Sequence, residues 1–299
     1  MKWLGRTCFA VAALVLLAEL GVRLAGVMDV PLFVIDRVVG YLPAPNQQGS
    51  FMRRHAWAFN ELSMGTSRPF KPGLERNILL VGDSVVYGGP HYAEAERLGP
   101  LLEHALPGSR VWPLAAGSWA TRNELAWLRQ HQEVVRQVDD IVFVTTSEDF
   151  TNEAASWHCE SNNPTTQPWL VLWFLAVKKW QLERCDQTLP QHKVPDADTR
   201  VELLAWLDDP ALRGKRLSFV LYPFKDPFKK QGAQANQTER EFLRSLGVWP
   251  VADLAADANW HAALYKDDAH PSPQGNAVLA SVIARALLAN AKPAKPEMR

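Results

Sequence analysis

The chain has 299 residues, with 32 lysines and arginines balanced by 32 aspartates and glutamates, and 47% of its residues are hydrophobic. Such a length fits one large α/β domain with additions, or two small domains. The even charge balance gives no electrostatic footprint for nucleic acid or another polyanion. Nor do the eight histidines show ligand-like spacing such as His-x-x-x-His, so no metal is implied, and nothing implies a cofactor.

At the N-terminus, Lys2 and Arg6 precede an uninterrupted apolar run from Cys8 to Ala18. Apolar character continues past Glu19 and Arg23 to Met28, long enough to cross a bilayer core of about 30 Å. Glu19 and Arg23, four apart with the acid first, can pair on one helix face, which lowers the cost of charge near lipid. No clean small-x-small cleavage site follows. The expectation is an uncleaved signal-anchor over residues 1–28, single-pass in the inner (cytoplasmic) membrane. The positive N-terminal flank then puts the rest of the chain in the periplasm or outside the cell. A cleaved signal peptide is the alternative.

Residues 29–76 show little periodicity and several turn formers, among them Pro43-Ala44-Pro45-Asn46 and Lys71-Pro72-Gly73, and read as a linker and lead-in. The branched apolar run Asn77-Ile78-Leu79-Leu80-Val81 reads as a buried strand that breaks at Gly82-Asp83-Ser84. Helical spacing follows from Ala93 to Leu106, then a strand over 109–114 ending at Ala115-Ala116-Gly117-Ser118. A helix is expected from Thr121 to Val138, with Thr121 as N-cap and Glu124 completing a capping box. A third strand covers 140–145 and ends in Thr146-Ser147-Glu148-Asp149.

Between about 150 and 200 the alternation lapses. This insertion holds Cys159, Cys185 and four of the twelve tryptophans: Trp157, Trp169, Trp173 and Trp180. Core packing, a platform for sugar rings and an aromatic contact with lipid are the readings open for them. The apolar run 168–177 is too short to span a bilayer and suits a buried or interfacial helix. Cys159 and Cys185, an even pair in the exported part, form a disulfide worth about 3 kcal/mol or stay two separate thiols. Regular order resumes with helices over 198–207 and 238–246, strands over 217–222 and 249–254, and a closing helix from about Pro273 to Ala289. The main domain thus spans 77–291, and the tail 292–299 is expected to be disordered. Repeated strand–helix units predict a three-layer α/β/α fold around a central, mostly parallel sheet of the flavodoxin-like kind. The polar clusters at Ser84, Gly117 and Thr146 each follow a strand and so gather at one sheet edge.

Gly82-Asp83-Ser84 together with Asp267-Asp268-Ala269-His270-Pro271 resembles the SGNH/GDSL hydrolase family. That resemblance implies a serine esterase with Ser84 as nucleophile, His270 as base and Asp267 orienting the base. The family also uses three oxyanion donors: the backbone N–H of the serine, a glycine N–H after the second strand, and an asparagine after the third. Ser84 and Gly117 match the first two. The third departs from the pattern: alignments put Glu148 or Thr146 in the asparagine's place, and Asn152 or Asn123 is an alternative amide source. The family's substrates include acylated sugars, lipids and small esters. Export and the aromatic cluster favour an O-acyl group on a glycan or cell-envelope carbohydrate, hydrolysed or transferred. The contrasting expectation is a non-catalytic domain of the same fold that binds glycan or a partner. No protein partner is legible.

Overall fold

The computed structural model describes residues 2–147, 149–185, 189–248 and 250–289. Helix α1 (Lys2–Leu24) stands out from the rest, and its stretch Gly5–Leu24 is long and apolar enough to cross a membrane. Two antiparallel hairpins follow, β1 (Phe33–Asp36) with β2 (Gly40–Pro43), and β3 (Gln47–Phe51) with β4 (His55–Phe59). The segment expected as a linker is therefore folded structure. Its apolar residues Phe33, Tyr41, Trp57 and Phe59 are all buried, which fixes the hairpins against the main domain.

The main domain begins with β5 (Arg76–Gly82), the one-turn helix α2 (Ser84–Tyr87) and α3 (Leu98–Ala105). It continues through β6 (Ser109–Ala115), α4 (Thr121–Gln130), α5 (Gln132–Gln137) and β7 (Asp140–Thr145). Within the insertion lies α6 (Val171–Leu182), and Cys159 is joined to Cys185 across it. Then come α7 (Thr199–Leu207), β8 (Arg216–Leu221), α8 (Lys225–Gln231), α9 (Gln237–Ser245), the short β9 (Ala252–Asp253) and α10 (Pro273–Ala289). The expected last strand is thus only two residues long, and Trp249 and the tail 292–299 lie outside the described residues.

The five strands run parallel in the order β6-β5-β7-β8-β9. Reversal of winding at β5 makes this a doubly wound sheet with a ligand crevice at the strand carboxyl ends. Alternate residues of β5 go to opposite faces, as a period of two requires. Leu79 and Val81 pack with Leu125, Trp127 and Trp206 of α4 and α7, whereas Ile78 and Leu80 pack with Leu102 and Ile283 of α3 and α10. At the opposite edge from the crevice, the buried Asp140 carboxylate bonds Arg76 of β5 (2.7 and 2.8 Å) and Arg216 of β8 (2.7 and 2.8 Å), tying three adjacent strands. Burial pushes this carboxyl up, but the two guanidiniums outweigh burial and hold it below its usual range.

The helix expected over 121–138 breaks at His131, whose ring stacks on Trp127 at 3.9 Å and whose Nδ1 lies 2.9 Å from the Trp127 carbonyl oxygen. Its cap also differs from expectation. Ala120 is the N-cap residue, and its N–H donates to Asn123 Oδ1 at 3.0 Å. Glu124 is instead fully buried, with neither carboxylate oxygen hydrogen-bonded among the described residues.

Candidate active site

A tight turn carries Ser84 out of β5. A side chain at Gly82 would put Cβ 2.5 Å from Val86 and 3.0 Å from the Val144 carbonyl, so only glycine fits there. Asp83 accepts from the Val85 N–H at 2.8 Å and caps α2, leaving Ser84 at its first position. Gly88, at φ 71°, ends the turn of helix in the left-handed region.

His270 arrives on the loop before α10. Asp267 Oδ1 accepts from the backbone N–H groups of Ala269 (3.0 Å) and His270 (2.8 Å), bending the acid back over the imidazole. Further bonds hold the loop: Lys266 N–H to the His270 carbonyl at 2.8 Å, Tyr92 hydroxyl to the Pro271 carbonyl at 2.7 Å, and Lys225 N–H to the Asp268 carbonyl at 3.0 Å. His270 Nδ1 then lies 2.9 and 3.0 Å from the two Asp267 oxygens, and its Nε2 lies 3.0 Å from Ser84 Oγ. Ser84, His270 and Asp267 therefore form a continuous hydrogen-bonded chain. Burial pushes the Asp267 carboxyl up, but the two N–H groups and the imidazole outweigh it and hold the group below its usual range. It is a carboxylate at neutral pH, suited to receive Nδ1–H.

Gly117 follows β6 and faces the same cavity as Ser84 and His270, with open space where a side chain would point. Its carbonyl accepts from the Tyr41 hydroxyl of β2, so a hairpin residue turns this peptide. Among the described residues, no protein acceptor takes the N–H of Ser84 or of Gly117.

The other donors considered from sequence do not reach the cavity. Asn152 Oδ1 accepts from the Thr199 N–H at 3.1 Å, and its carbonyl accepts from Arg122 at 3.0 Å, so it anchors the insertion to α7 and α4. Thr146 is buried in the turn after β7, where its N–H donates to Asp149 Oδ2 at 2.6 Å. Asn123 spends its amide on the carbonyls of Val39 and Ala155 and on the N–H groups of Ala120 and Ala155, clamping the first hairpin to the insertion. Glu148 lies outside the described residues.

One amide that sequence spacing does not single out does line the cavity. Asn163, on the insertion and only 7% exposed, is held by Trp157 Nε1 on its carbonyl (2.8 Å) and by Asn162 Nδ2 on its Oδ1 (3.0 Å). Its own Nδ2 has no acceptor among the described residues. The cavity measures about 690 Å³. Its remaining walls come from Met28 and Val30 after α1, Phe51 of β3, and Phe174 and Lys178 of α6.

The parallel sheet order, the strand-end serine turn and the Asp-x-x-His loop before the last helix form the arrangement that the sequence resemblance to the SGNH/GDSL hydrolase family implies. No protein-family model and no curated protein matches the sequence. Among solved structures, the chain is similar to a member of the lipolytic protein G-D-S-L family from Veillonella parvula DSM 2008, at 10% identity over 72% of this chain and 97% of that one, with a TM-score of 0.41. A lipase from a goat rumen metagenome is 17% identical over 70% of this chain and 96% of that one, with a TM-score of 0.38. The C-terminal catalytic domain of a Streptococcus pneumoniae peptidoglycan O-acetyltransferase is 16% identical over 73% of this chain and 95% of that one, with a TM-score of 0.35. What the site of this chain can do follows from its own atoms.

Proposed function

We propose that this protein is a membrane-anchored, extracytoplasmic serine esterase or acyltransferase acting on an O-acyl group, with a glycan or cell-envelope carbohydrate as the acyl carrier. The chain of hydrogen bonds from Asp267 through His270 to Ser84, at the wall of a 690 Å³ cavity, carries this reading. Ser84 Oγ attacks the ester carbonyl carbon while His270 Nε2 takes its proton. Asp267 keeps the other imidazole proton on Nδ1 and stabilises the imidazolium. The carbonyl oxygen, now an oxyanion, is received by the N–H groups of Ser84 and Gly117 and by Asn163 Nδ2. The C–O bond to the carrier then breaks, and His270 returns its proton to the departing alcohol. Water, or the hydroxyl of an acceptor, next gives a proton to His270 and takes the acyl group from Ser84, whose Oγ then regains that proton from His270 Nε2.

Full-length protein in detergent, assayed with a short-chain aryl ester and labelled with a fluorophosphonate, tests this. The expected result is turnover and covalent labelling that Ser84→Ala and His270→Ala both abolish while the variants stay folded. Labelling that survives Ser84→Ala overturns Ser84 as nucleophile. Neither turnover nor labelling by the native chain overturns the esterase and favours a domain that only binds its ligand.

A further inference from the structure

Helix α6 has two faces with different surroundings. Phe174, Lys178 and Gln181, spaced four and three apart, turn inward, the first two lining the cavity and the third accepting from the Ser161 hydroxyl. Trp173 and Trp180, seven apart, share an outward face of the helix and are 67% and 52% exposed, and Trp169, in the segment just before α6, is 90% exposed. Leu170, next to Trp169, is also exposed, and Arg184 stacks on Trp180 at 3.8 Å. Three exposed tryptophans on α6 and the segment leading into it are costly in water and need a covering surface.

Contacts between α1 and α6 indicate where that surface lies. Glu19 of α1 accepts from the Val171 and Leu172 N–H groups at 2.9 Å each, so it caps the N-terminus of α6. Arg23 binds Glu19 at 2.7 Å and also the carbonyls of Trp169 (2.5 Å) and Pro168 (3.3 Å). Glu19 sits five residues before the end of α1, about 7.5 Å at 1.5 Å per residue. The start of α6 is thereby held beside the last turn and a half of the candidate span, near its C-terminal end. Tryptophans, with Lys179 and Arg184 beside them, are the residues that favour the headgroup layer of a bilayer. The Cys159–Cys185 disulfide closes the insertion around α6 and holds this arrangement to the domain.

We propose that α6 lies in the headgroup layer of the same bilayer that α1 spans, with Trp169, Trp173 and Trp180 immersed, so that the cavity opens at the membrane surface and draws an ester-bearing amphiphile from it. The cavity walls agree: Met28 and Val30, which follow α1, and Phe174 of α6 are apolar lining of the cavity that holds Ser84, with Lys178 as a cation beside them. The substrate part of this proposal rests on the esterase reading above; the membrane contact does not.

The test uses the full chain with Cys8→Ser, in vesicles of phosphatidylethanolamine and phosphatidylglycerol. An environment-sensitive dye is placed by Trp173→Cys, or by Val201→Cys on the exposed face of α7 as a water-facing control. The expected outcome is a blue-shifted dye at 173, quenched by shallow doxyl lipid, and a dye at 201 quenched by aqueous iodide. A dye at 173 as open to iodide as the one at 201 overturns the membrane contact. Second, the Trp169→Ser, Trp173→Ser, Trp180→Ser variant is expected to keep turnover of a soluble aryl ester within about twofold and to lose at least about tenfold on a vesicle-embedded long-chain ester. Equal effects on both esters overturn membrane delivery. If the native chain turns over neither ester, the esterase reading has failed, and the dye still decides where α6 lies.

Discussion

Replacing Asp267 by Asn isolates the part of the site that depends on the direction of one hydrogen. Asp267 Oδ1 accepts from two backbone N–H groups, of Ala269 and His270, at 3.0 and 2.8 Å. In Asp267→Asn the amide oxygen must keep that position, because an amide N–H₂ there would face two donors. The new Nδ2 then falls where Oδ2 stood, 3.0 Å from His270 Nδ1, while the oxygen, already accepting two backbone N–H groups, stays 2.9 Å from it. A donor at that place favours the tautomer with bare Nδ1 and protonated Nε2, which can no longer take the Ser84 proton. Shape and loop geometry stay as they were. The expected loss in kcat/KM is about 10⁴-fold, or about 5 kcal/mol of transition-state stabilisation. Turnover of an aryl ester, with folding checked by circular dichroism, measures it, and Asp268→Asn serves as control at about native activity. A loss below about tenfold in Asp267→Asn refutes the claim that Asp267 sets the tautomer of His270.

Removing the Asn163 amide by Asn163→Ala should lower kcat by about 10²–10³-fold with little change in KM, as loss of one oxyanion donor does. Asn152→Ala and Thr146→Ala should leave kcat near native; the reverse pattern in steady-state kinetics would return the donor to the turn after β7. Asp140→Asn should cost about 3 kcal/mol in denaturant unfolding at neutral pH, the low end for a broken buried pair because Arg216 is half exposed. Because the folded pKa of Asp140 is depressed, the stability it contributes is present above its unfolded value of about 3.9 and is lost as pH falls through the folded one. Glu124 is the opposite case: burial first, and then the nearby Asp83 charge, raise its pKa well above normal. Its folded form holds a proton that the unfolded form releases, so stability falls as pH rises above about 4.3. Glu124→Gln should therefore flatten the dependence of Tm on pH and raise Tm on the alkaline side.

The regular parts of the fold and the hydrogen-bonded triad were legible because their signals are local. β5, β7 and β8 are short branched apolar runs, α10 starts at a proline and keeps helical spacing to Ala289, and Asp267 and His270 sit three residues apart. The hairpins were not legible because their strands are only four or five residues long, and β1 and β3 bury no regular alternation, as in Phe33–Asp36. What holds them is tertiary. Gly40, at φ 93°, brings its backbone so close to the insertion that a Cβ there would lie 2.0 Å from the Ala155 carbonyl. Asn163 was missed for the same reason. It reaches the cavity through the fold of the insertion, at no fixed distance in sequence from any strand end, and only its Trp157 and Asn162 contacts mark it.

These tertiary contacts change the meaning of the segment after α1. Met28 and Val30 line the cavity, the Phe33 N–H donates to the Pro164 carbonyl beside Asn163, and Tyr41 turns the Gly117 peptide. Asn123 ties Val39 of the same hairpin region to Ala155 of the insertion. The stretch between α1 and the sheet is thus one wall of the cavity and also the support for its opposite wall. Cutting the chain before Phe33 removes Met28 and Val30 and frees one end of that support, whereas a tether could be trimmed without effect on the cavity. Through Glu19 and Arg23, α1 also sets the height of α6. Helix α1, the lead-in and the insertion therefore act as one unit that fixes the cavity around Ser84.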